Sequence, residues 1–274
     1  MTKNWFITGT SRGFGRHWAT AALERGDKVA ATARNVASLS DLVAKYGDNI
    51  LPIALDVTDR TAAFAAVAQA HEAFGSLDVV INNAGYGHFG MIEEITEQEI
   101  RGQLETNVLG TLWVTQAALP FMREQKSGHI LQVSSIGGIT AFPTIGAYHA
   151  SKWAVEAFSQ SLAAEVAQFG IHVTAIEPGG YSTDWAGDSA KTSTPIAAYD
   201  AVRQAVRESR ATEVLGDPAA TGAVVLKLVD MAEPPTRIFF GSTPLPIAKA
   251  DYESRLAQWE KWNHLSVEAR GDVE

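Results

Sequence analysis

The sequence predicts an α/β fold in which a doubly wound sheet of about seven parallel strands carries helices on both faces. Short β-rich runs alternate with longer amphipathic runs, as parallel strands joined by helical crossovers require. No linker rich in Pro, Gly or Ser and no internal repeat divides the 274 residues, which favours a single domain over residues 1–274.

The strands are predicted from the β-rich runs and the helices from the amphipathic runs between them. In chain order, the predicted strands are residues 5–8, 28–33, 50–55, 78–81, 129–134, 172–177 and 237–240. The predicted helices are residues 14–25, 37–46, 60–74, 97–125, 150–168 and 217–231. Each connection between strands is long enough for a helical crossover, so the strands can run parallel.

Two segments interrupt this alternation. Residues 183–215 contain Gly187 and Pro195 and are predicted to form a long loop with a short helix near 197–210, an insertion of the kind that forms a lid. Residues 242–274 form a C-terminal extension with a helical pattern. This extension either caps the core, or forms a wall of a substrate pocket or a subunit contact.

Charge and composition exclude several classes of function. Twenty-two basic and thirty-one acidic residues give a net charge of −9, so neither nucleic acid nor an anionic membrane surface is an expected partner. The absence of cysteine excludes disulfides, thiolate metal clusters and a Cys nucleophile. We find neither a signal-peptide pattern before the first strand nor an apolar run of the ~20 residues that a membrane helix needs. A cytoplasmic enzyme is therefore expected.

The glycines at the first strand-to-helix junction have the spacing Gly-x-x-x-Gly-x-Gly. Glycines at this position let backbone N–H groups approach a pyrophosphate, and the helix dipole favours its negative charge. An ordinary turn is the alternative, but the position favours a Rossmann-like dinucleotide site. The residues assigned to the loop are Gly9, Ser11, Arg12, Gly13, Phe14 and Gly15.

The end of the second strand indicates which dinucleotide is bound. An acidic residue there would bind the ribose 2′-hydroxyl of NAD, but residues 31–35 contain no acid. Arg34, together with Arg12 of the glycine loop, would instead pair with a 2′-phosphate. We therefore expect NADP(H) as the preferred cofactor, with NAD(H) as the alternative.

Polar residues also follow the third and fourth strands. Asp56 either accepts a hydrogen bond from the adenine amino group or begins the next helix together with Thr58 and Asp59. Residues 82–85, Asn-Asn-Ala-Gly, form either a simple turn or part of the ligand-binding edge of the sheet.

Tyr148 and Lys152 form a Tyr-x-x-x-Lys motif. On a helix, residues i and i+4 lie on one face, so the Lys ammonium would lie close to the Tyr phenol. A nearby cation favours the phenolate, and we therefore expect Lys152 to lower the pKa of Tyr148. A phenol of this kind can exchange a proton with a carbonyl oxygen.

Together, these ordered motifs resemble the short-chain dehydrogenase/reductase family in its common single-domain form. The resemblance covers most of residues 4–183 and includes residues 82–85, Asn107, Ser135 and a Pro-Gly segment at 178–179. Several motifs at consistent spacing are far more specific than any one of them.

The resemblance implies a catalytic set of four residues. Tyr148 would be the general acid in reduction and the general base in oxidation, and Lys152 would also hold the nicotinamide ribose. Ser135, thirteen residues before Tyr148, would donate a hydrogen bond to the substrate oxygen. Asn107 would hold a water that links Lys152 to solvent, or would be a solvated helix residue.

The resemblance also implies cofactor contacts beyond the glycine loop. Phe14 and Tyr181 depart from the usual residues at their positions, but neither takes part in proton transfer. The further residues assigned to the cofactor are Arg34, Asp56, Val57, Asn83, Ala84, Gly85, Tyr148, Lys152, Pro178, Gly179, Tyr181 and Thr183.

The function that follows is an NADP(H)-dependent oxidoreductase that interconverts a mainly apolar ketone or aldehyde and its alcohol. The residues expected to line the substrate cleft are Phe89, Phe142, Ile145, Tyr181 and Trp185. Two alternatives are a lyase or epimerase with tightly bound cofactor and a non-enzymatic NADPH-sensing protein. No metal site is expected, because no His pair has zinc-like spacing.

Three further expectations complete the interpretation. A homodimer or homotetramer would form through the helices near 97–125 and 150–168. The carboxylates at 93–94 and 97–99 are expected to form a solvated helix entrance rather than a catalytic pair. His149 is interpreted as a helix-start residue, with a position facing the pocket as the alternative.

Overall fold

A seven-stranded parallel sheet forms the centre of the computed structural model, which describes residues 2–187 and 189–271. The strands are β1 (Asn4–Ile7), β2 (Lys28–Ala33), β3 (Ile50–Ala54), β4 (Val79–Asn82), β5 (His88–Phe89), β6 (Gly128–Val133), β7 (Ile171–Pro178), β8 (Lys191–Thr192) and β9 (Arg237–Phe240). The sheet order is β3-β2-β1-β4-β6-β7-β9. The predicted fold and its seven strands are confirmed, and the order reverses between β1 and β4, where such sheets bind ligands.

Helices cover both faces of this sheet. They are α1 (Gly13–Glu24), α2 (Ser40–Tyr46), α3 (Arg60–Phe74), α4 (Glu97–Leu104), α5 (Gly110–Gln125), α6 (Gly146–Val166), α7 (Asp200–Arg210), α8 (Thr221–Asp230) and α9 (Pro244–Ala269). Side chains alternate across β1, so Trp5 and Ile7 pack with Trp18 of α1, whereas Phe6 packs against the α3, α5 and α6 side.

The helix predicted over 97–125 is divided by a π-helical turn. α4 is followed by the π-helical residues Glu105–Leu109 and then by α5, with backbone dihedral angles that remain helical throughout. A π turn inserts one extra residue into a helix and commonly occurs at functional sites. Here it contains Asn107.

The sequence interpretation missed a second, two-stranded parallel sheet. β5 pairs with β8 through His88 with Lys191 and Phe89 with Thr192. This pairing connects the segment after β4 to residues 183–215. That segment otherwise has the predicted organisation, a loop followed by α7.

Glu94 corrects the expectation of a solvated acidic helix entrance. Its carboxylate is buried, and it accepts hydrogen bonds from the backbone N–H groups of Ile196 (2.7 Å) and Met91 (2.8 Å). It also pairs with Arg203 of α7 at 2.5 Å. The Ile196 N–H is the largest cause that lowers the pKa of Glu94 to about 2. Glu94 therefore anchors α7 and the loop before it.

The C-terminal helix α9 lies against the body of the protein only through its first part. Pro244 and Ala248 are buried, and Arg255 places its guanidinium over the Trp153 ring, 4.8 Å from the centroid. The later residues Trp259 and Trp262 are 62% and 51% exposed. Only the first part of α9 therefore packs against the core. Within the described residues, no helix has the length and apolar character needed to cross a membrane.

Candidate active site

One large cavity, of about 1550 Å³, lies along the carboxyl ends of the central strands. This exceeds the ~300–1,000 Å³ of a typical small-ligand pocket, so it has room for a dinucleotide and a second molecule. The sequence-predicted catalytic and cofactor residues line it except Gly15 and Asn107, which lie behind its wall. Of the residues expected in the substrate cleft, Phe142, Ile145, Tyr181 and Trp185 line the cavity and Phe89 does not.

The glycine loop is shaped by close backbone contacts. Gly9 and Gly13 have φ angles of +69° and +60°, a region that other residues rarely adopt. A Cβ atom on Gly15 would lie 2.5 Å from the Gly9 carbonyl oxygen and 2.5 Å from Asn83 Nδ2. Gly15 therefore supports the loop from beneath rather than facing the cavity.

Asn83 connects this loop to the end of β4. Its side-chain Nδ2 donates to the carbonyl oxygens of Thr8 (2.9 Å) and Gly9 (3.1 Å). The Thr8 hydroxyl in turn accepts the backbone N–H groups of Asn83 and Ala84, each at 2.9 Å. The Asn83 amide is thus used to hold the loop.

Tyr148 and Lys152 lie on one face of α6, in its first two turns, and both side chains are buried. Lys152 Nζ donates to the Val133 carbonyl oxygen at 2.8 Å and lies 5.6 Å from the centroid of the Tyr148 ring. The predicted placement of the two groups on one helix face is therefore present. The ammonium and the phenol face the same end of the cavity.

The expected lowering of the pKa of Tyr148 does not occur in the protein alone. Burial raises the pKa of Tyr148 to about 12, and a hydrogen bond with Ser135 opposes this only in part. Burial also lowers the pKa of Lys152 to about 8, against the charge of Glu156. Desolvation is the largest cause of both pKa shifts, so Tyr148 is a neutral phenol at neutral pH.

Asn107 lies behind the cavity wall, in the π-helical turn. Its Oδ1 accepts the Tyr86 backbone N–H at 3.1 Å, and its Nδ2 donates to the Tyr86 carbonyl oxygen and to Ser151 Oγ, each at 3.1 Å. It is 1% exposed, so the alternative of a solvated helix residue is wrong. Its side chain therefore connects the segment that follows β4 to α6.

His149 has a structural function that the sequence interpretation missed. Its Nδ1 bonds the Gly137 carbonyl oxygen at 2.8 Å, and its Nε2 accepts the Phe142 backbone N–H at 2.9 Å. Burial lowers the pKa of His149, which keeps the ring neutral for this pair of bonds. The ring fixes the loop that begins at Ser135, whose hydroxyl accepts the Gly137 N–H at 2.9 Å.

The two arginines predicted near a 2′-phosphate have different surroundings. Arg12 forms an ion pair with Asp184 at 2.5 Å, which connects the glycine loop to the 183–215 segment. Arg34 is exposed, lines the cavity and forms no ion pair with any described residue. Asp56 Oδ1 accepts hydrogen bonds from the Thr58 N–H and hydroxyl, which is the helix-entry alternative considered for it.

Aromatic rings surround Tyr148 on the outer side of the cavity. The Trp185 ring lies 4.9 Å from the Tyr148 ring and 5.4 Å from the Phe89 ring, centroid to centroid. Phe142, Ile145 and Tyr181 also line the cavity. On the opposite side, Phe14 packs between Trp18 (5.2 Å) and Tyr181 (5.0 Å).

The residues present fit a nicotinamide dinucleotide. The space beside the Cα atom of Gly13, at the start of α1, is unobstructed, because the nearest atom to an added Cβ is Thr183 Cβ at 4.0 Å. Backbone N–H groups at this helix start, an exposed Arg34 beyond β2 and a lysine beside the Tyr148 phenol provide sites for phosphate, ribose and nicotinamide groups.

Comparison with known proteins identifies the family. The protein-family model described as short chain dehydrogenase matches residues 3–194 of this chain. The chain belongs to the short-chain dehydrogenase/reductase family. It is therefore an oxidoreductase of that family, whose members use NAD(H) or NADP(H).

Three similar proteins extend beyond the region that the family model covers. Oxidoreductase BOA17 of Botryotinia fuckeliana is 46% identical, over 97% of this chain and 99% of its own length. A crystal structure of a short-chain dehydrogenase from Streptomyces avermitilis has a TM-score of 0.92 and 37% identity, with both chains fully covered. A 3-ketodihydrosphingosine reductase of Bacteroides thetaiotaomicron is 36% identical over 86% of each chain.

Proposed function

We propose that this protein is an NADP(H)-dependent carbonyl reductase that converts a ketone or aldehyde with a mainly apolar body to its alcohol, and catalyses the reverse reaction. The observation that carries the proposal is the buried Tyr148 phenol, hydrogen-bonded to Ser135 and beside Lys152, at the inner end of the cavity. A reductase also agrees in reaction class with the ketone reductase among the similar proteins.

Proton transfer in this proposal starts from the neutral phenol. A substrate oxygen placed between Ser135 and Tyr148 accepts hydrogen bonds from both hydroxyls, and the phenol passes its proton to that oxygen as negative charge develops on it. A nicotinamide dinucleotide held in the cavity would supply the hydride that the carbonyl carbon accepts. The Lys152 ammonium stabilises the phenolate that remains. This attraction arises once the phenol has given up its proton, and it lowers the free energy of the reaction.

Three residues act by position rather than by contact with substrate. Asn107 holds Tyr86 and Ser151, His149 holds the Ser135 loop, and Asn83 holds the glycine loop. In this proposal the catalytic groups are Ser135, Tyr148 and Lys152, and Asn107 supports them.

The preference for NADP(H) rests on Arg34. No carboxylate follows β2, and the Arg34 guanidinium has no competing partner among the described residues, so it can pair with a 2′-phosphate. Arg12 contributes only when its ion pair with Asp184 opens.

Arg34→Gln is therefore expected to weaken NADPH binding about tenfold, the size of one charge-assisted hydrogen-bonded contact. Binding of NADH, which lacks the 2′-phosphate, should stay near the wild-type value. Fluorescence titration with both nucleotides measures this, and Arg101→Gln, which removes an exposed arginine of α4, is the control. Equal loss of NADH and NADPH binding in Arg34→Gln would contradict the assignment.

The reaction class is tested by absorbance-monitored oxidation of NADPH against aldehydes, cyclic ketones and diketones. We expect one NADPH to be consumed for each alcohol formed. The Trp185 ring, which lines the cavity and has Phe89 packed against it, favours compounds with apolar bodies. Binding of NADPH without turnover of any carbonyl compound would favour a sensing protein instead.

We further propose that residues 183–215 form the lid of this cavity. The segment supplies Trp185 and Arg210 to the cavity, and the connections that hold it include Arg12 with Asp184, β5 with β8, and Glu94 with Arg203. Such closure would exclude water from Tyr148.

Glu94→Gln is expected to increase the rate of limited proteolysis within 183–215 severalfold, because Arg203 and the Ile196 N–H lose a charged acceptor. Glu97→Gln, which removes only an exposed ion pair with Arg101, should have no effect. Because the folded pKa of Glu94 is depressed to about 2, its anchoring is complete above its unfolded value and is lost only as pH falls toward 2. Unchanged proteolysis in Glu94→Gln would show that the anchor is not needed.

We also propose that the enzyme is cytoplasmic and forms a homodimer or homotetramer. Trp153 and Phe158 of α6 are 39% and 44% exposed, and helices that leave large apolar side chains at the surface commonly pair with a second copy. Sedimentation that shows only the 29.4 kDa monomer would contradict the oligomer.

A further inference from the structure

Two buried carboxyl groups lie behind Lys152, outside the cavity. Glu156 follows Lys152 by one turn of α6, and Glu177 is the second-last residue of β7. They are 5% and 2% exposed. The mechanism above uses neither of them, although acidic side chains are almost never buried without a charged partner.

Arg237 of β9 is the cation that faces both carboxyl groups from the protein surface. Its Nη2 lies 3.5 Å from Glu156 Oε2, and its Nε lies 4.0 Å from Glu177 Oε1. These contacts are long for ion pairs, and Arg237 also donates to Gln160 at 3.0 Å. One half-exposed arginine therefore neutralises two buried carboxyl groups incompletely.

Two buried carboxyl groups that share one half-exposed arginine cannot both ionise easily. Burial raises the pKa of Glu177, and the neighbouring Glu156 raises it further. Burial raises the pKa of Glu156 as well, while Arg237, Lys152 and Ser134 act in the other direction. The pair is therefore expected to hold one proton and one negative charge at neutral pH.

The carboxylate of Glu156 lies one helical turn from Lys152 on α6. Lys152 lies in a buried site where its single described hydrogen-bond acceptor is the Val133 carbonyl oxygen, and desolvation alone favours the neutral amine. The titratable groups that act on its ammonium are Tyr148 and Glu156 of α6, with Glu177 and Arg237 behind Glu156. Glu156 is the carboxylate that opposes desolvation.

We propose that Glu156 is a positioning residue of the catalytic site: its buried carboxylate, one helical turn after Lys152 on α6 and next to Arg237, keeps Lys152 as an ammonium ion. The Lys152 charge that stabilises the Tyr148 phenolate is thus set by a residue outside the cavity. This inference deepens the proposed function, since it rests on the role of Lys152 there.

The two carboxyl groups predict opposite results when each is replaced by its isosteric amide. Glu156→Gln removes the charge nearest Lys152, so the Lys152 pKa should fall by about one unit. In Glu177→Gln, the second carboxyl group no longer competes with Glu156 for the negative charge. Glu156 then ionises fully, and the Lys152 pKa should stay the same or rise. Both substitutions are equally conservative in volume and equally buried, and a general loss of packing would affect both alike.

The direct test is the pH titration of the Lys152 side chain by NMR in protein labelled with ¹³C-lysine, with the resonance assigned by its loss in Lys152→Met. This measurement does not require turnover, so it is independent of whether the proposed reaction occurs. A lower Lys152 pKa in Glu156→Gln and not in Glu177→Gln supports the proposal. An unchanged Lys152 pKa in Glu156→Gln, or the same fall in both variants, overturns it.

The pH profile of carbonyl reduction provides a second readout. Wild-type activity should decline above about pH 8, as Lys152 loses its proton. In Glu156→Gln that decline should move about one unit toward acid, which lowers activity at pH 8 about fivefold and leaves activity at pH 6 nearly unchanged. A uniform loss at every pH would indicate structural damage rather than a change in the charge of Lys152, and would count against the proposal.

Discussion

Tyr148→Phe is expected to lower kcat/KM for carbonyl reduction by about 10²–10⁴-fold, the usual contribution of a positioned general acid. The substitution removes the one hydroxyl that can pass a proton to the substrate oxygen and leaves the ring in place between Lys152 and Trp185. Binding of NADPH should therefore stay near the wild-type value. Steady-state kinetics and nucleotide titration on the same preparation separate the two effects.

Tyr86→Phe is the matched control for that variant. Tyr86 lines the same cavity, but its side chain is not part of the Ser135 and Lys152 group, and its contacts with Asn107 are made by its backbone. Loss of its hydroxyl should leave turnover largely unchanged. Turnover in Tyr148→Phe equal to that of the wild type would show that another group supplies the proton.

Gly15→Ala is expected to weaken binding of NADPH and NADH alike, on the order of 100-fold. The added Cβ would meet the Gly9 carbonyl oxygen and the Asn83 amide, each 2.5 Å away, and neither is free to move. The Gly9 oxygen is backbone, and the Asn83 amide is bonded to Thr8 and Gly9. The loop must shift, and its N–H groups then no longer match a pyrophosphate. Isothermal titration of each nucleotide measures the loss.

Gly102→Ala provides the control for a glycine near the same cavity. Gly102 lies within α4, and an added Cβ would lie 3.4 Å from the Tyr86 hydroxyl, an ordinary contact distance. Nucleotide binding should therefore be retained in Gly102→Ala. Wild-type affinity in Gly15→Ala would mean that the glycine loop does not hold the cofactor.

The main elements of the fold could be predicted because their signals are local. The bounds of β2 and β9 agree with the predicted strands, β3 differs by one residue at one end, and the other four strands of the main sheet differ by one residue at both ends. α6 begins at Gly146, four residues before the predicted start, because residues 146–149 have no strong capping signal. The π-helical turn at Asn107 was missed, since one extra residue in a helix leaves the apolar pattern nearly unchanged.

Ion pairs between residues far apart in the chain could not be predicted from the sequence, because nothing in the local sequence distinguishes their members from solvated charges. Glu94 and Arg203 are 109 residues apart, and Arg12 meets Asp184 only because the 183–215 segment folds over the glycine loop. β5 and β8, each two residues long, are too short for an alternating pattern to appear. The pKa of Tyr148 was predicted in the wrong direction because burial, which a single sequence does not report, raises the pKa of the phenol.

The most direct test of the account is an isotope-transfer measurement with NADPH that carries deuterium at the reactive nicotinamide carbon. With a ketone substrate, we predict that each oxidised NADPH places one deuterium on the carbinol carbon of the product, whose hydroxyl hydrogen comes from solvent. If substrate is converted while the deuterium stays in the nucleotide, the protein catalyses another reaction on this scaffold, and the account of Tyr148 as the proton donor for carbonyl reduction is wrong.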